Sequence, residues 1–327
     1  MAYNSETFII YQEQYFSGMT EVLSQAAIEM AAAGGVMRIG TRLLKGDFDQ
    51  ASFFNNIDNL MTERDPNDLS PATWSDLTQS ETVGVKTYRR SKVEKTVGAF
   101  KALGASTELM SFAFGQQSAR AVALDYTNTG LAAAVAAIST EADATLDVSG
   151  DAGAAGQLNV GNLVSLRAKL GDNAGAIRAW VMHSGAVHKL LGDAVASSVD
   201  SVAGVAIYTA AIGTLGLPVI VTDSEYLVER AETTPFAITK YKVLGLTSDA
   251  VIMEESEDQE LLTRLDDSKA NITVRVTVET AYTLNIKGFK FTGTSAPTKA
   301  DFATPANWDY VYESVKSGPG VLGIFAI

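Results

Sequence analysis

Ile272, Val274, Val276 and Val278 alternate with Thr273, Arg275, Thr277 and Glu279, a period of two that an extended strand sorts into one dry face and one wet face. Branching at Cβ favours the same conformation, because these side chains are stiff at χ1 and pack well on a pleated surface. Two long strands are expected here, 271–280 and 281–291. Their dry face needs a covering layer. The candidate is a helix within 107–146, where Leu124, Leu131, Val135 and Ile138 fall on one face at steps of seven, four and three. If continuous from 116 to 142 it is about 40 Å long at roughly 1.5 Å per residue, with Gly130 as its weak point. Long strands under a long helix make an α+β protein.

Before this helix, Met19, Val22, Leu23, Ala26 and Met30 form an apolar stripe at helical spacing, which ends at Gly34-Gly35. The segment 36–44 is expected to extend as a strand along a neighbour, and Pro66 and Pro71 mark a turn-rich connector. From 82 to 101 the pattern is β-like, with Val83, Val85, Thr87, Val93 and Val97 carrying branched side chains. Lys86, Arg89, Arg90, Lys92, Lys95 and Lys101 stand there against only Glu81 and Glu94. On its own this reads as a solvated hairpin whose lysines prevent edge-to-edge aggregation. Small turn-forming residues at 147–156 then give a boundary. Beyond it, helices (160–170, 185–195) alternate with strands (178–183, 217–223, 235–242). The tail, with Trp308, Tyr310 and the apolar run 320–327, is expected to be ordered by burial or by a partner.

The 327 residues are 46% hydrophobic and contain no cysteine, so disulfides, thiolate nucleophiles and Cys-based zinc sites are excluded. A net charge of −13 opposes condensation on a polyphosphate, and sequence-specific DNA binding is not expected. The first residues show no basic n-region followed by an apolar core, so no secretory signal is expected and the protein stays in the cytoplasm. The uncharged stretch 201–222 is interrupted by glycines and Pro218 and flanked by Asp200 and Asp223, so it reads as two buried strands joined by a turn and not as a membrane span. His183, Ser184, His188 and Asp223 offer the groups of a nucleophile, a base and an orienting carboxylate. Met182-His183-Ser184-Gly185-Ala186 lacks the first glycine of a Gly-x-Ser-x-Gly elbow, and Ser184 stands where a helix N-cap belongs. No nucleotide fingerprint occurs. Glu254, Glu255, Glu257, Asp258 and Glu260 form an acidic run without loop glycine or EF-hand spacing, which reads as a solvated face and not as a metal site. Neither a cofactor nor a catalytic residue is expected.

Several short motifs recur in one order: Gly46-Asp47-Phe48-Asp49 with Ser52-Phe53-Phe54, Met182-His183-Ser184 at the end of an apolar strand, Leu215-Gly216-Leu217-Pro218 leading to Asp223, Ala296-Pro297-Thr298, and Asn307-Trp308-Asp309. Each is a strand end, a turn or a cap that many proteins carry, and their joint order resembles the major capsid proteins of tailed bacteriophages, the Hong Kong 97-type capsid fold. The resemblance implies an N-terminal arm and helix (1–65), a connector and an extended β-hairpin called the E-loop (66–105), a peripheral domain with a long spine helix (106–150), an axial α/β domain (151–250), and a peripheral sheet with C-terminal tail (251–327). It further implies a structural subunit, not an enzyme, that self-assembles into pentamers and hexamers of an icosahedral head around packaged double-stranded DNA. The partners implied are further copies of itself, a separate scaffolding protein, a portal and possible decoration proteins, with no membrane. Assembly in the host cytoplasm and residence in the virion follow. Lys86, Arg89, Arg90, Lys92 and Lys95 are then expected to meet Glu254, Glu255, Glu257, Asp258 and Glu260 on a neighbouring subunit, since the two runs have opposite fields. Cross-linking of a hairpin lysine has no residue-level match here. Two alternatives stand beside this reading: an encapsulin-type nanocompartment shell, and a cytosolic hydrolase using Ser184, His188 and Asp223.

Overall fold

A computed structural model describes residues 12–32, 34–54, 70, 78–96, 107–191, 198–202, 205–208, 216–231 and 237–327. The first part holds helix α1 (Gln12–Ala32), strands β1 (Met37–Thr41), β2 (Phe48–Phe54) and β3 (Gln79–Thr96), helix α2 (Thr107–Ser139) and strand β4 (Thr145–Asp147). Helix α3 (Val160–Ala168), strand β5 (Ile177–Met182) and helix α4 (Ser184–Leu191) follow, then strands β6 (Ser198–Val202), β7 (Val205–Tyr208), β8 (Val219–Thr222), β9 (Val228–Arg230) and β10 (Ile238–Thr247). The last part comprises β11 (Val251–Glu255), β12 (Glu260–Asp266), β13 (Thr273–Ile286), β14 (Phe289–Phe291), helix α5 (Lys299–Phe302), β15 (Trp308–Tyr310) and β16 (Gly320–Ala326). These strands form two sheets. One runs β1-β11-β13-β3-β14-β15, with β12 also on β13 and β2 also on β3. The other runs β4-β16-β10-β5-β8-β7-β6, with β9 also on β10.

Helix α2 lies between the sheets. Its 33 residues make a rod of about 50 Å. Leu131, Val135 and Ile138 join a single core with Val181, Ile220 and Leu244 of the second sheet and Val251, Met253 and Leu284 of the first. Ala132, Ala133, Ala134, Ala136 and Ala137 are buried too, and these short side chains let a sheet approach from either side while favouring the helix. Continuous burial over 129–138 explains why the helix is apolar enough to cross a membrane by length and composition, and 72% of its most apolar window is inside the fold. Two expectations need correcting. Leu124 is 42% exposed and lies off the buried face. Gly130 is not a weak point, because a Cβ there would come within 3.0 Å of Met37 and Val251, so its bareness admits β1 and β11 against the helix.

The stripe on α1 is buried as its spacing requires, with Met19, Val22, Ala26 and Met30 all at 6% exposure or less. It packs beside α2 over the dry face of β13, where Val274, Val276 and Val278 meet Tyr15, Met19, Val22 and Ala119. The helices touch backbone to backbone. A Cβ on Gly115 would stand 2.1 Å from the Tyr15 carbonyl oxygen, and one on Gly18 would stand 2.5 Å from that of Phe112. The helix ends before Gly34 and Gly35, whose φ values of 95° and 62° suit glycine. The strand that follows does not need a neighbour, since β1 pairs in parallel with β11 of the same chain, Met37 opposite Val251 through Thr41 opposite Glu255.

Strand β13 is one strand of 14 residues, not two meeting at 280, because nothing between Thr280 and Ala281 breaks the pleat and the turn comes at Gly288 (φ 75°). Likewise, residues 82–96 are not a hairpin of their own. They belong to the single strand β3, whose start pairs antiparallel with β2 (Phe48 opposite Val85, Phe54 opposite Gln79) and whose remainder pairs antiparallel with β13 (Val85 opposite Leu284, Thr96 opposite Thr273). The hairpin is therefore β2 with the first residues of β3. Alternation of charge with valine, read as two arms, is the mark of one strand with different surroundings on its two faces. Residues 97–101, which the expected hairpin included, lie outside the described residues, as do those from 1 to 11 and Pro66 and Pro71.

In the second sheet, strands at 205–208 and 219–222 pair antiparallel, as expected for the uncharged stretch. The apolar tail is ordered by burial: β16 is inserted between β10 and β4, with Val321, Leu322 and Phe325 fully buried. The segment 296–309 turns through Ala296 (φ 55°) into a capping box in which Thr298 and Asp301 satisfy each other's backbone amides, and Trp308 donates its indole N–H to the Phe302 carbonyl at 2.9 Å.

Candidate subunit-contact surface

The two charged runs come together on one part of the first sheet, a three-stranded ribbon β12-β13-β3. Its register sets Glu260 opposite Glu279 and Glu279 opposite Arg90, and at the far end Asp266 opposite Thr273 and Thr273 opposite Thr96. Partners across strands share a face. Residues level with Val274, Val276 and Val278 face the helices. Those level with Arg275, Thr277 and Glu279 form the outer face, which carries Lys86, Arg90, Lys92, Glu94, Glu260, Leu262 and Arg264.

Several expected contact residues are engaged within the subunit. Lys86 is 4% exposed and pairs with Glu257, and its backbone N–H donates to the Asp47 carbonyl at 2.8 Å. Arg89 points the other way, toward α2, and donates from Nε to Asp125 at 3.1 Å. Tyr282 donates its phenol to the same carboxylate at 3.0 Å, and Lys299 pairs with it as well. Glu254 pairs with Arg38 at 3.1 Å and Arg42 at 3.6 Å. Glu255 has a different environment. It lines a groove with Phe16, Met19 and Leu23 of α1, and burial, reinforced by the Asp258 charge, pushes its carboxyl above the usual range. Arg90, Lys92, Lys95, Asp258 and Glu260 are exposed, and no ion pair joins them to the other described residues. A groove lined by Leu43, Tyr88, Arg90, Glu257, Asp258 and Glu260 gathers side chains of both charges.

Two clusters were missed in the sequence. Asp125 gathers β3, β13 and α5 onto α2, and the signal for it was available, as it is the one charged residue between 121 and 139. Glu94 accepts from Lys269 at 2.8 Å and from the Thr273 hydroxyl at 2.8 Å, with Arg275 at 3.4 Å, and the Lys269 contact leads in holding its carboxyl below the usual range. That set joins residues about 180 apart and has no local pattern.

The serine–histidine–aspartate arrangement does not form a catalytic relay. The Ser184 hydroxyl donates directly to Asp223, and His183 accepts from the Gly185 N–H through Nδ1 at 3.1 Å while its Nε2 lies 3.6 Å from Asp223. Ser184 is the first helical residue, so the cap is made by His183 and not by the serine hydroxyl. Burial lowers the His183 pKa. His188 is exposed on α4. The hydroxyl's acceptor is a carboxylate and not an imidazole, so the serine–histidine–aspartate order of a relay is not made. Among the described residues no group of three His, Asp or Glu side chains could hold a metal ion.

A model of the Gp13-like family, described as major capsid protein 13-like, matches residues 7–322. The chain belongs to this major capsid protein family. It is a structural subunit of a phage head, a component of the virion that associates with further copies of itself, and not an enzyme. The fold is similar to solved structures at low identity. The cyanophage Pam1 capsid asymmetric unit matches with a TM-score of 0.50 at 12% identity, covering 89% of this chain and 88% of that one. Structures from Mycobacterium phage Adephagia (TM-score 0.50, 10% identity, 88% and 87% covered) and Mycobacterium phage Bobi (TM-score 0.50, 10% identity, 93% and 89% covered) share it. These likenesses establish the Hong Kong 97-type fold, and the family match sets aside the nanocompartment and hydrolase alternatives. None of the curated proteins matches the sequence.

Proposed function

We propose that this capsid subunit builds the pentamers and hexamers of an icosahedral head that encloses double-stranded DNA, with a separate scaffolding protein, a portal and decoration proteins as partners and assembly in the host cytoplasm. The observation that carries this reading is the family match over 7–322. In this reading residues 1–65 serve as arm and helix and supply in β2 one arm of the E-loop hairpin, 66–105 as connector and, through β3, its other arm, 106–150 as spine, 151–250 as the axial hub and 251–327 as peripheral sheet and tail. The placement of β16 beside β10 supports counting the last strand with the hub. The charged runs act between subunits through the members left exposed, Arg90, Lys92, Lys95, Asp258 and Glu260, while Lys86, Arg89, Glu254, Glu255 and Glu257 act mainly within the subunit. The net charge of −13 keeps packaged DNA from adhering to the wall. Sedimentation of the chain co-produced with its scaffold tests the reading. Fast-sedimenting polyhedral particles are expected, and monomers or small oligomers alone, with scaffold present, would contradict it.

A further inference from the structure

The hairpin of β2 with the start of β3 is held to the body of the subunit at two places of unequal strength. The inner one lies where Asp49 is opposite Gly84 and Phe48 is opposite Val85, the residue at which β3 also meets Leu284 of β13. There the Asp49 carboxylate, 11% exposed, accepts from the Arg42 guanidinium at 2.8 and 3.1 Å and from the Asn285 amide at 3.0 Å. The Asn285 side chain lies against the bare Gly84, where a Cβ would stand 2.0 Å from its Oδ1. Val83, Gly84 and Val85 are buried. The outer place is open to solvent. Glu81, 40% exposed, pairs with Lys290 of β14, 34% exposed, and Phe53 meets Tyr312 edge to face with ring centroids 5.1 Å apart. An open cleft of about 440 Å³ is lined by Phe53 and Phe54 together with Thr247, Lys287 and Tyr312, and Phe54 is 63% exposed.

We propose that this hairpin is a hinged strap: Asp49 and Asn285 form its seat, and the contacts Glu81–Lys290 and Phe53–Tyr312 are a clasp that holds it on its own subunit until a neighbouring copy takes it. This rests on the capsid reading above and deepens it by naming the part of the subunit that changes angle on assembly. The moving part is 51–54 with 79–82, while Val83, which pairs with Lys290 of β14, stays with the seat. What breaking each place costs decides which one gives. Parting Asp49 from Arg42 and Asn285 leaves a nearly buried charge without partners. An exposed ion pair, by contrast, exchanges its partner for water at little cost, and a ring pair is made good by any apolar surface that replaces it. A segment with few buried apolar contacts opens while the rest stays folded, and residues 51, 52 and 54 are exposed. The clasp acts on both faces of the hairpin, because Phe53 is level with the Asp49 face and Glu81 with the Val83 face. Releasing it therefore frees the hairpin to turn either way about a fixed point. A subunit that meets copies in both five-fold and six-fold rings needs one contact of adjustable angle, and a hinge of this kind supplies it.

The absence of cysteine makes the test clean. In the double variant Glu81→Cys with Lys290→Cys, a short cleavable bis-maleimide locks the clasp in the dissociated subunit. The locked subunit, mixed with its scaffold, is expected to give at least tenfold fewer particles, and cutting the linker to restore the yield. Normal yield from the locked subunit, or a yield that stays low after the linker is cut, would overturn the strap and leave the capsid reading standing. Failure of the unsubstituted chain to form particles would overturn both. If the double variant does not fold, spin labels on Ser52→Cys and Leu124→Cys, both exposed positions, read the same hinge. One distance is expected with the clasp intact, and a second one in Phe53→Ala with Glu81→Gln, at an unchanged unfolding midpoint. Adding Asn285→Ala is expected to blur both distances by loosening the seat. A single unchanged distance in the clasp variant, or two sharp distances without Asn285, would contradict the proposal.

Discussion

Asp125 shows how one side chain organises three elements. It receives Arg89 from β3, Tyr282 from β13 and Lys299 from α5, at a position about one-fifth exposed. Removing the carboxylate leaves two cations and a phenol facing an apolar helix, so Asp125→Ala is expected to cost about 2–3 kcal/mol, somewhat below a fully buried pair because solvent reaches the site. Urea unfolding of the dissociated subunit measures this, and a loss under about 0.5 kcal/mol, in the range of an ordinary surface change, would refute the role. Glu255 is expected to act in the opposite sense. Its carboxyl is raised by burial under α1, so the folded state binds its proton more tightly than the unfolded chain does. Stability should therefore fall as pH rises from the usual glutamate range through the raised value. Glu255→Gln, which removes the charge and keeps the shape, should raise the unfolding midpoint at neutral pH and show no advantage at acid pH. A destabilised Gln variant at neutral pH would contradict this.

At the scale of elements, α1 and α2 depend on two glycines where their backbones meet. Alanine is intrinsically the better helix former by about 1 kcal/mol, yet Gly115→Ala places a methyl 2.1 Å from the Tyr15 carbonyl oxygen. Overpacking wins that contest, and a net loss of about 1–3 kcal/mol is expected in thermal or urea unfolding; a stabilised variant would show that the helices separate freely. The same element shows what the sequence made legible. The helix, its apolar stripe and the break at Gly34-Gly35 have local period or local chemistry, as do the strand through Val274, Val276 and Val278 and the turn into Trp308. Strand partnership does not. The basic residues of β3 could be read as two arms of a hairpin because period two is the same in one strand as in two, and only β2, some 30 residues earlier, and β13, nearly 190 later, decide it. Gly130 was misread for the same reason, since what it admits comes from Met37 and Val251. The contact surface was half legible: the charges stood out, but which of them are consumed inside the subunit depended on Asp125, Glu257 and Arg38, which no local spacing ties to them.

For the whole molecule, the two sheets gripping α2 from either side make a plate in which one core cluster spans both layers. Such a body moves as a unit, which suits a wall element. Its overall charge of −13 predicts weak retention on immobilised duplex DNA even at low salt, and tight retention would remove the argument for a non-adhesive inner wall. This plate is expected to tile a closed head. Cryo-electron microscopy of the assembled fraction is the test: icosahedral shells are expected whose repeating density holds an α2 rod of about 50 Å in each subunit, flanked by two sheets. Open aggregates, or closed particles whose density does not accommodate this plate, would contradict it.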